Sequence, residues 1–289
     1  MLAFLLAVVL SVHTLPARAE TAVRFPVRAT DGISAWNEKV KFGIRIRERA
    51  YPATGYRECA EVAELPGAYL CANRNRAEMA AGLARASAYI EGMGKELSGG
   101  DVIPKGQILS LRDPALASYS AGVMGYDLKG PDLVSFWAAL EKACADSNQS
   151  PDVCASAAEK GIFKGLILPR VNKAPGFVVI TYALDGGFAT YQMVVSHEIL
   201  HAQYFLRPAY ERTVNEFWDA IPAEEKEAIR LGLSDYYDQT DEFLMKNEFQ
   251  AFVLMKGAEQ SLLAMYLVNY RDRLNAALRA RGEFPIQVR

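Results

Sequence analysis

Hydrophobic and polar positions follow a helical spacing in the first half of this chain. Apolar residues such as Met79 and Leu83 recur every three or four positions, which is the spacing of one face of a helix. Gly99 follows the end of this pattern, and Pro131 stands at the start of another. Helices are therefore predicted over residues 34–49, 75–97, 132–145 and 151–160.

The middle of the chain is richer in β-branched and aromatic residues. Residues 165–168 and 177–184 form two such runs, which predict strands. Residues 107–111 are a further short strand candidate. Helical spacing returns at residue 190 and continues until Arg207 and Pro208. The pattern thus predicts an α+β fold that is mostly helical, with a small β-sheet preceding the helix from residue 190. Further helices are predicted over residues 210–220, 222–231, 241–256 and 260–281.

Composition and charge narrow the class of protein. The chain has 289 residues, of which 51% are hydrophobic and 23% are charged, as in ordinary globular proteins. Its 32 Lys and Arg residues nearly balance 34 Asp and Glu residues, and the net charge is -2. Nucleic-acid binding usually needs a broad basic surface. We therefore expect no nucleic-acid partner.

The chain has no internal repeat and no proline-rich linker that would divide it. Residues 20–289 are therefore expected to form a single unit. The alternative is an N-terminal helical lobe, residues 20–160, packed against a lobe that carries the metal-binding motif described below, residues 161–289.

The N-terminus has the pattern of an export signal. Residues 1–10 are an apolar run too short to cross a bilayer, and Ala17 and Ala19 are small residues suited to cleavage before Glu20. The only positive charge before the run is the terminal amine, so an uncleaved anchor is the alternative. No later segment is apolar for long enough to span a membrane. Residues 1–19 are expected to be a signal peptide, and the mature protein to be periplasmic or secreted without a membrane span.

Four cysteines fall into two pairs that are close in sequence, Cys59 with Cys71 and Cys144 with Cys154. In an oxidising compartment this spacing predicts two local disulfides in surface turns, each contributing about 2–3 kcal/mol by restricting the unfolded chain. The second bridge would join the helices predicted over residues 132–145 and 151–160. The alternative is a cysteine-based zinc site, which neither spacing favours because neither has the Cys-x2-Cys form.

A metal-binding motif lies in the helix predicted from residue 190. Residues 197–201 read His-Glu-Ile-Leu-His, and residues four apart lie on one face of a helix, so His197 and His201 can bind one ion. Glu198 lies beside them. Zn²⁺ would lower the pKa of a water whose proton Glu198 takes as general base. The alternative is a pair of core histidines without a metal, since the residues around the motif are apolar.

A catalytic zinc site normally has three protein ligands and one open position for water. The chain has three histidines, and the remaining one, His13, lies in the expected signal peptide. The third ligand is therefore expected to be a carboxylate from a later helix. Two similar strings offer one, at Glu216 and at Glu248. We favour Glu248 because its neighbours form an apolar face, whereas Glu216 lies among charged residues.

At these positions the chain resembles the gluzincins, the zinc peptidases related to thermolysin, in which one helix carries HExxH and a later one carries Asn-Glu-x-x-small. The resemblance covers these two motifs only. It implies a zincin-like fold, Zn²⁺ as cofactor and hydrolysis of a protein or peptide substrate, with residues 177–184 as the edge strand that pairs with the substrate. The matching residues are His197, Glu198, His201, Asn247, Glu248 and Ala251.

Two features of the gluzincin pattern are missing from the sequence. Phe252 stands where several gluzincins place an aspartate that orients the first zinc-binding histidine, so His197 needs another partner. No motif matches the residue that stabilises the oxyanion. The nearest tyrosines in sequence are candidates, and for each the alternative is a hydrogen-bonded core residue. These tyrosines are Tyr204, Tyr236 and Tyr237.

Together these patterns predict an exported zinc-dependent metallopeptidase. The alternative is a non-catalytic zinc-binding module, or a degenerate peptidase, that binds a protein partner. Glu198 separates the two predictions, because a purely structural zinc needs ligands but no general base. A third alternative is a disulfide-bonded helical binding protein without a metal.

Overall fold

A mixed six-stranded β-sheet is the central element of the computed structural model. The structure describes residues 38–41, 44–48, 58–93, 102–146, 154–171, 176–185, 188–234, 237–255 and 262–288. The chain divides into two units, Met1–Ser34 and Ala35–Arg289, and every described residue belongs to the second. The expected signal peptide, residues 1–19, lies outside the described residues.

The sheet combines antiparallel neighbours with one parallel pair. Its order is β1-β2-β3-β4-β6-β5, and only β4 and β6 run parallel. Parallel strands need a long crossover connection, and the chain between β4 and β6 supplies one that contains helices and β5. The strands are β1 (Glu38–Lys41), β2 (Ile44–Glu48), β3 (Glu58–Val62), β4 (Ala68–Asn73), β5 (Gly125–Lys129) and β6 (Val178–Ala183).

Helices precede and follow β6 in two groups. The first group is α1 (Arg76–Glu91), α2 (Pro114–Gly122), α3 (Gly130–Asp146), α4 (Ala157–Ile162), a π-helical turn (Phe163–Ile167) and α5 (Leu168–Val171). The second group is α6 (Phe188–Leu206), α7 (Pro208–Asp219), α8 (Ala223–Leu233), α9 (Glu242–Leu254) and α10 (Leu262–Ala280).

Alternate positions of the central strands contribute to two hydrophobic cores. Leu70 and Ile180 pack with the second group of helices, whereas Tyr69 and Val179 pack with the first group. Strands β4 and β6 are buried at every position because both faces of the sheet are covered. The helices that carry the metal-binding motif therefore lie on the opposite face from α1–α5.

The α+β class predicted from the sequence is confirmed. The strand predicted over residues 177–184 is β6, and the helices predicted after residue 190 are α6–α10. The helices predicted over residues 75–97 and 132–145 are α1 and α3. Helix α1 begins where the Asn75 side chain accepts a hydrogen bond of 2.8 Å from the Glu78 N–H, and it ends before Gly92, whose φ is +73°.

The helix predicted over residues 34–49 is wrong. The described part of this segment is a hairpin of β1 and β2, in which Lys41 pairs with Ile44. The sequence Ile-Arg-Ile-Arg from Ile44 alternates apolar and polar residues with the period of a strand, and this period overrides the weaker helical one.

Two of the predicted strands are also wrong. Residues 165–168 belong to the π-helical turn and the start of α5, and residues 107–111 form neither strand nor helix. The side chains of Leu166 and Ile167 are fully buried, and a short apolar run of this kind is equally compatible with a buried helix. The helix predicted over residues 151–160 begins only at Ala157 within the described residues, after the Ser156 cap.

The edge strand of the sheet is not the one predicted. Strand β6 lies between β4 and β5, so residues 177–184 cannot pair with a substrate. Strand β5 stands at the edge instead. Its sequence Gly-Tyr-Asp-Leu-Lys alternates, and Tyr126 and Leu128 are buried whereas the other three positions are half-buried. Residues Gly125, Asp127 and Lys129 therefore share the face of β5 that lies opposite Tyr126 and Leu128.

Both predicted disulfides are confirmed, Cys59–Cys71 and Cys144–Cys154. The second joins α3 to the segment before α4, so Cys154 precedes the helix in which it was expected to lie. The first does not staple a surface turn, because Cys59 and Cys71 are buried and lie opposite each other on β3 and β4. Among the described residues, no helix is both long enough and apolar enough to cross a membrane.

Candidate metal centre

Helix α6 places both motif histidines on one face, as the four-residue spacing requires. Their Nε2 atoms are 2.9 Å apart. His201 is 2% exposed and the side chain of His197 is 14% exposed, so the two imidazoles meet below the surface. The helix is held by apolar residues on its other faces, including Val195, Ile199 and Leu200, which are fully buried.

Helix α9 brings a carboxylate to the same point. Glu248 Oε2 is 3.4 Å from His197 Nε2, and Glu248 Oε1 is 3.6 Å from His201 Nε2. Asp241 caps α9 by accepting a hydrogen bond from the Leu244 N–H, and Met245 and Phe249 anchor the helix in the core. Glu248 is therefore held in place by its helix and is itself buried.

The three side chains have the chemistry and spacing of a metal site. Ligand atoms that share a tetrahedral zinc at about 2.0–2.2 Å lie about 3.3–3.6 Å apart. The distances among His197, His201 and Glu248 are close to this range. Among the described residues, the buried atoms His201 Nδ1 and Glu248 Oε2 have no hydrogen-bond partner. An ion bound through the Nε2 atoms would compensate Glu248 Oε2, whereas His201 Nδ1 lies on the opposite side of its ring. His197, His201 and Glu248 could thus hold a metal ion.

The protonation states also suit a cation. Burial lowers the pKa of His197, and the neighbouring His201 lowers it further, so the imidazole is neutral near pH 7 and offers a lone pair. Burial alone would raise the pKa of Glu248. The two imidazoles and the hydroxyl of Tyr237 outweigh burial, and the pKa of Glu248 lies below its usual value. The set therefore provides a neutral imidazole at His197 and a carboxylate at Glu248.

Glu198 lies beside this set but is bonded to a residue of the edge strand. Its carboxyl group is hydrogen-bonded to Asp127 of β5. Burial raises the pKa of Glu198 well above its usual value, and the charges of Asp127 and Glu248 raise it further. Burial and the charge of Glu248 likewise raise the pKa of Asp127 to about 7. Both carboxyl groups therefore favour their neutral forms more than exposed carboxyl groups do.

A further carboxylate increases the negative charge. Glu91, at the end of α1, accepts a hydrogen bond of 2.8 Å from Ser87 Oγ. Burial raises its pKa to about 7, and the charges of Asp127 and Glu248 contribute to this shift. The described residues thus place the carboxyl groups of Glu91, Asp127, Glu198 and Glu248 within electrostatic range of one another. A bound cation would offset part of this repulsion.

The tyrosines considered from the sequence have different surroundings. The Tyr237 hydroxyl hydrogen-bonds Glu248 and interacts electrostatically with Glu198, so Tyr237 belongs to the site. The Tyr204 hydroxyl donates a hydrogen bond of 2.7 Å to Asn215 Oδ1, and the Tyr204 side chain is buried in the hydrophobic core. Tyr236 lies outside the described residues. Phe252 packs its edge against the His197 ring, with ring centroids 4.8 Å apart, where the gluzincin pattern has an aspartate.

The alternative third ligand lies elsewhere. Glu216 is on the surface of α7, with 58% of its side chain exposed, and it is paired with Arg281. The structure therefore brings Glu248, and not Glu216, to the two histidines. Asp127 and Gly125 were not singled out from the sequence. The alternating pattern of residues 125–129 was the available signal for a strand there, but nothing in it indicates which face would meet Glu198.

Comparison with protein-family models, curated proteins and solved structures finds no match to this chain.

Proposed function

We propose that this protein is a zinc-dependent peptidase of the gluzincin type, in which Glu198 is the general base. The observation that carries the proposal is the meeting of three potential ligands, His197, His201 and Glu248, with a fourth ionisable group that is not one of them. A structural zinc site is usually closed by four protein ligands, whereas a catalytic site has three and an open position. The three-residue set with an adjacent glutamate fits the catalytic kind.

The chain's own residues account for proton transfer. Zn²⁺ held by His197, His201 and Glu248 would lower the pKa of an attacking water, polarise the peptide carbonyl and offset the surplus negative charge. Glu198 accepts the proton of the water and then delivers it to the leaving amine. The Tyr237 hydroxyl, which is bonded to Glu248, is the candidate donor to the oxyanion.

The outer edge of β5, which pairs with no other described strand, supports a peptide as substrate. The Gly130 N–H donates to the Phe177 carbonyl at 2.7 Å, and antiparallel pairs alternate between bonded and non-bonded positions. Leu128 and Tyr126 therefore bond to β6, and the backbone groups of Gly125, Asp127 and Lys129 face away from it. An extended peptide can pair with such an edge and pass alongside Glu198.

We also propose that the protein works in an oxidising compartment, in the periplasm or outside the cell. Two disulfides among the described residues support this location, because such bonds are rare in reducing cytosol.

Zinc-dependent hydrolysis is the direct test. The purified protein is stripped with a chelator, reloaded with one equivalent of Zn²⁺ and assayed against a mixture of quenched fluorescent peptides. We expect cleavage by the reloaded protein and none by the stripped protein. Stoichiometric zinc binding without cleavage would refute the catalytic proposal and support the non-catalytic zinc-binding module. No zinc binding at all would refute the metal site as well.

A further inference from the structure

We propose that Asp127 and Gly125, on the edge strand β5, are positioning residues that hold the Glu198 carboxylate beside the metal-binding residues. The inference rests on the proposed function, in which Glu198 moves the proton. It assigns to β5 a role in catalysis in addition to any pairing with substrate.

Glu198 needs such support because its own helix does not provide it. The α6 backbone fixes the Cα position, but the long side chain of a glutamate has several rotatable bonds beyond it. A general base must be held within about 0.5 Å of its working position by packing and hydrogen bonds from neighbouring residues. Of the described residues outside α6 and α9, Asp127 of β5 hydrogen-bonds the Glu198 carboxyl group, and Gly125 of β5 lies against it.

Asp127 provides a directional contact. Its carboxyl group is hydrogen-bonded to that of Glu198, and it lies within 4.8 Å of the nearest ligand atoms of Glu198 and His201. A hydrogen bond has a preferred direction, so this contact favours one orientation of the Glu198 carboxyl group. Asp127 is not in the set formed by His197, His201 and Glu248, and its hydrogen bond is to Glu198.

Gly125 provides the space. A Cβ atom at this position would lie 2.6 Å from Glu198 Oε1 and 2.6 Å from Val194 Cγ1. It would also lie 3.1 Å from the Thr181 carbonyl oxygen, which is backbone and cannot move easily. The φ of Gly125 is not in the left-handed region, so closeness to Glu198, and not backbone conformation, requires glycine here. Any side chain at this position would displace the Glu198 carboxylate.

The two residues act from the same face of one strand. Gly125 and Asp127 are two positions apart, so both side-chain directions lead to α6, whereas Tyr126 between them is buried in the other core. Gly125 limits where Glu198 can lie, and Asp127 bonds it there. A loss of either should therefore disturb the base and leave the zinc ligands in place.

The experiment compares Asp127→Ala, Asp127→Asn and Gly125→Ala with the native protein, each loaded with Zn²⁺. Asparagine can still donate an N–H to the Glu198 carboxylate, so Asp127→Asn should recover most of the activity that Asp127→Ala loses. Removal of a supporting hydrogen bond typically costs 10- to 100-fold. We expect this loss in kcat for Asp127→Ala and Gly125→Ala, with KM changed less than about twofold and one zinc retained.

The matched control is Gly176→Ala. A Cβ at Gly176 meets nothing within 4 Å, so this variant should keep native kcat, KM and zinc content. Native kcat in both Asp127→Ala and Gly125→Ala would overturn the proposal. Loss of zinc from Asp127→Ala would also overturn it, because Asp127 would then be a ligand, as the alternative grouping of Asp127, Glu198 and His201 allows.

A binding measurement that does not depend on peptide hydrolysis tests the positioning of Glu198 separately from the proposed function. The protein is loaded with Co²⁺, and acetohydroxamate binding is followed by the visible spectrum, since the bound hydroxamate can hydrogen-bond the Glu198 carboxylate. We expect about tenfold weaker binding in Asp127→Ala and Gly125→Ala, and recovery in Asp127→Asn. Native affinity in the first two variants would refute positioning. If the native protein cleaves no peptide, the proposed function fails, yet weaker binding in these variants would still support positioning.

Discussion

Two clusters of buried charge lie on opposite faces of the sheet, and they differ in how well their polar atoms are satisfied. On one face, Arg85 donates to both oxygens of Glu159 at 2.8 and 2.7 Å and to the carbonyls of Leu109 and Cys154. On the other face, His201 Nδ1 and Glu248 Oε2 of the site have no hydrogen-bond partner in the part of the chain that the structure describes. The protein itself completes the first cluster, whereas the described residues leave two buried atoms of the second unsatisfied.

This contrast separates a structural role from a functional one. The Arg85–Glu159 pair joins α1 to α4, and Glu159 also accepts a hydrogen bond of 2.7 Å from the Ser156 N–H in a capping box. The site joins α6, α9 and β5, but its carboxyl groups repel one another and their pKa values shift upward at Asp127 and Glu198. Burial of charge is therefore not enough to indicate function. Burial with unsatisfied charge is the more specific sign.

The largest expected effect is on turnover in the site cluster. Glu198→Gln keeps the shape of the side chain but removes the base, so peptide hydrolysis should fall by about 10²- to 10⁴-fold. The free energy of unfolding should not fall, because the substitution also removes a crowded carboxyl group. Steady-state kinetics and urea unfolding of the zinc-loaded protein test both statements. Hydrolysis at the native rate would contradict the assigned base.

The opposite result is expected in the Arg85 cluster. Glu159→Ala leaves a buried guanidinium without its carboxylate, and breaking such a pair costs about 3–5 kcal/mol of unfolding free energy. Zinc affinity of the folded fraction should be unchanged. The double variant Arg85→Leu/Glu159→Leu serves as the control, since replacement of both charges is often nearly neutral. A loss below about 1 kcal/mol for Glu159→Ala would show that the pair contributes little.

A smaller effect is expected from the disulfide beside the Arg85 cluster. Cys144→Ser/Cys154→Ser removes a bridge between residues 10 apart, which should lower the free energy of unfolding by about 2–3 kcal/mol. Peptide hydrolysis should be unchanged at temperatures where the variant is folded. Thermal unfolding measures the loss of stability, and the peptide assay measures the rate of hydrolysis. A loss of zinc from this variant would show that the two faces are coupled.

The smallest effect is expected at Glu216. This residue is exposed and paired with Arg281, so Glu216→Ala should change the free energy of unfolding by less than about 0.5 kcal/mol. Zinc affinity should equal that of the native protein. Zinc titration of Glu216→Ala and Glu248→Ala side by side compares the zinc affinities of the two variants. Weaker binding only in Glu216→Ala would move the third ligand to α7.

The site was more predictable from the sequence than the sheet. His197, Glu198 and His201 are local to one helix, so their spacing alone places them together. The prediction of Glu248 as the third ligand depended only on which later helix has a buried face. Asp127 could not be found in this way, because its meeting with Glu198 depends on the strand order that places β5 at the edge beside α6.

The errors in the fold have a common cause. Residues 34–49 and 165–168 are short segments in which apolar spacing fits both a helix and a strand. In residues 34–49, the described part forms strands because β2 pairs with β3. Residues 165–168 are helical because Leu166 and Ile167 are buried among helices. Both outcomes depend on distant parts of the chain.

The most direct test of the central claim is the position of the metal. Crystals of the zinc-loaded protein are measured at the zinc absorption edge, so that anomalous scattering locates the ion and its ligands. We expect one strong peak about 2.0–2.2 Å from His197 Nε2, from His201 Nε2 and from a carboxylate oxygen of Glu248, with Glu198 nearby but not bound. A peak on other ligands, or no peak in protein equilibrated with zinc, would contradict the account.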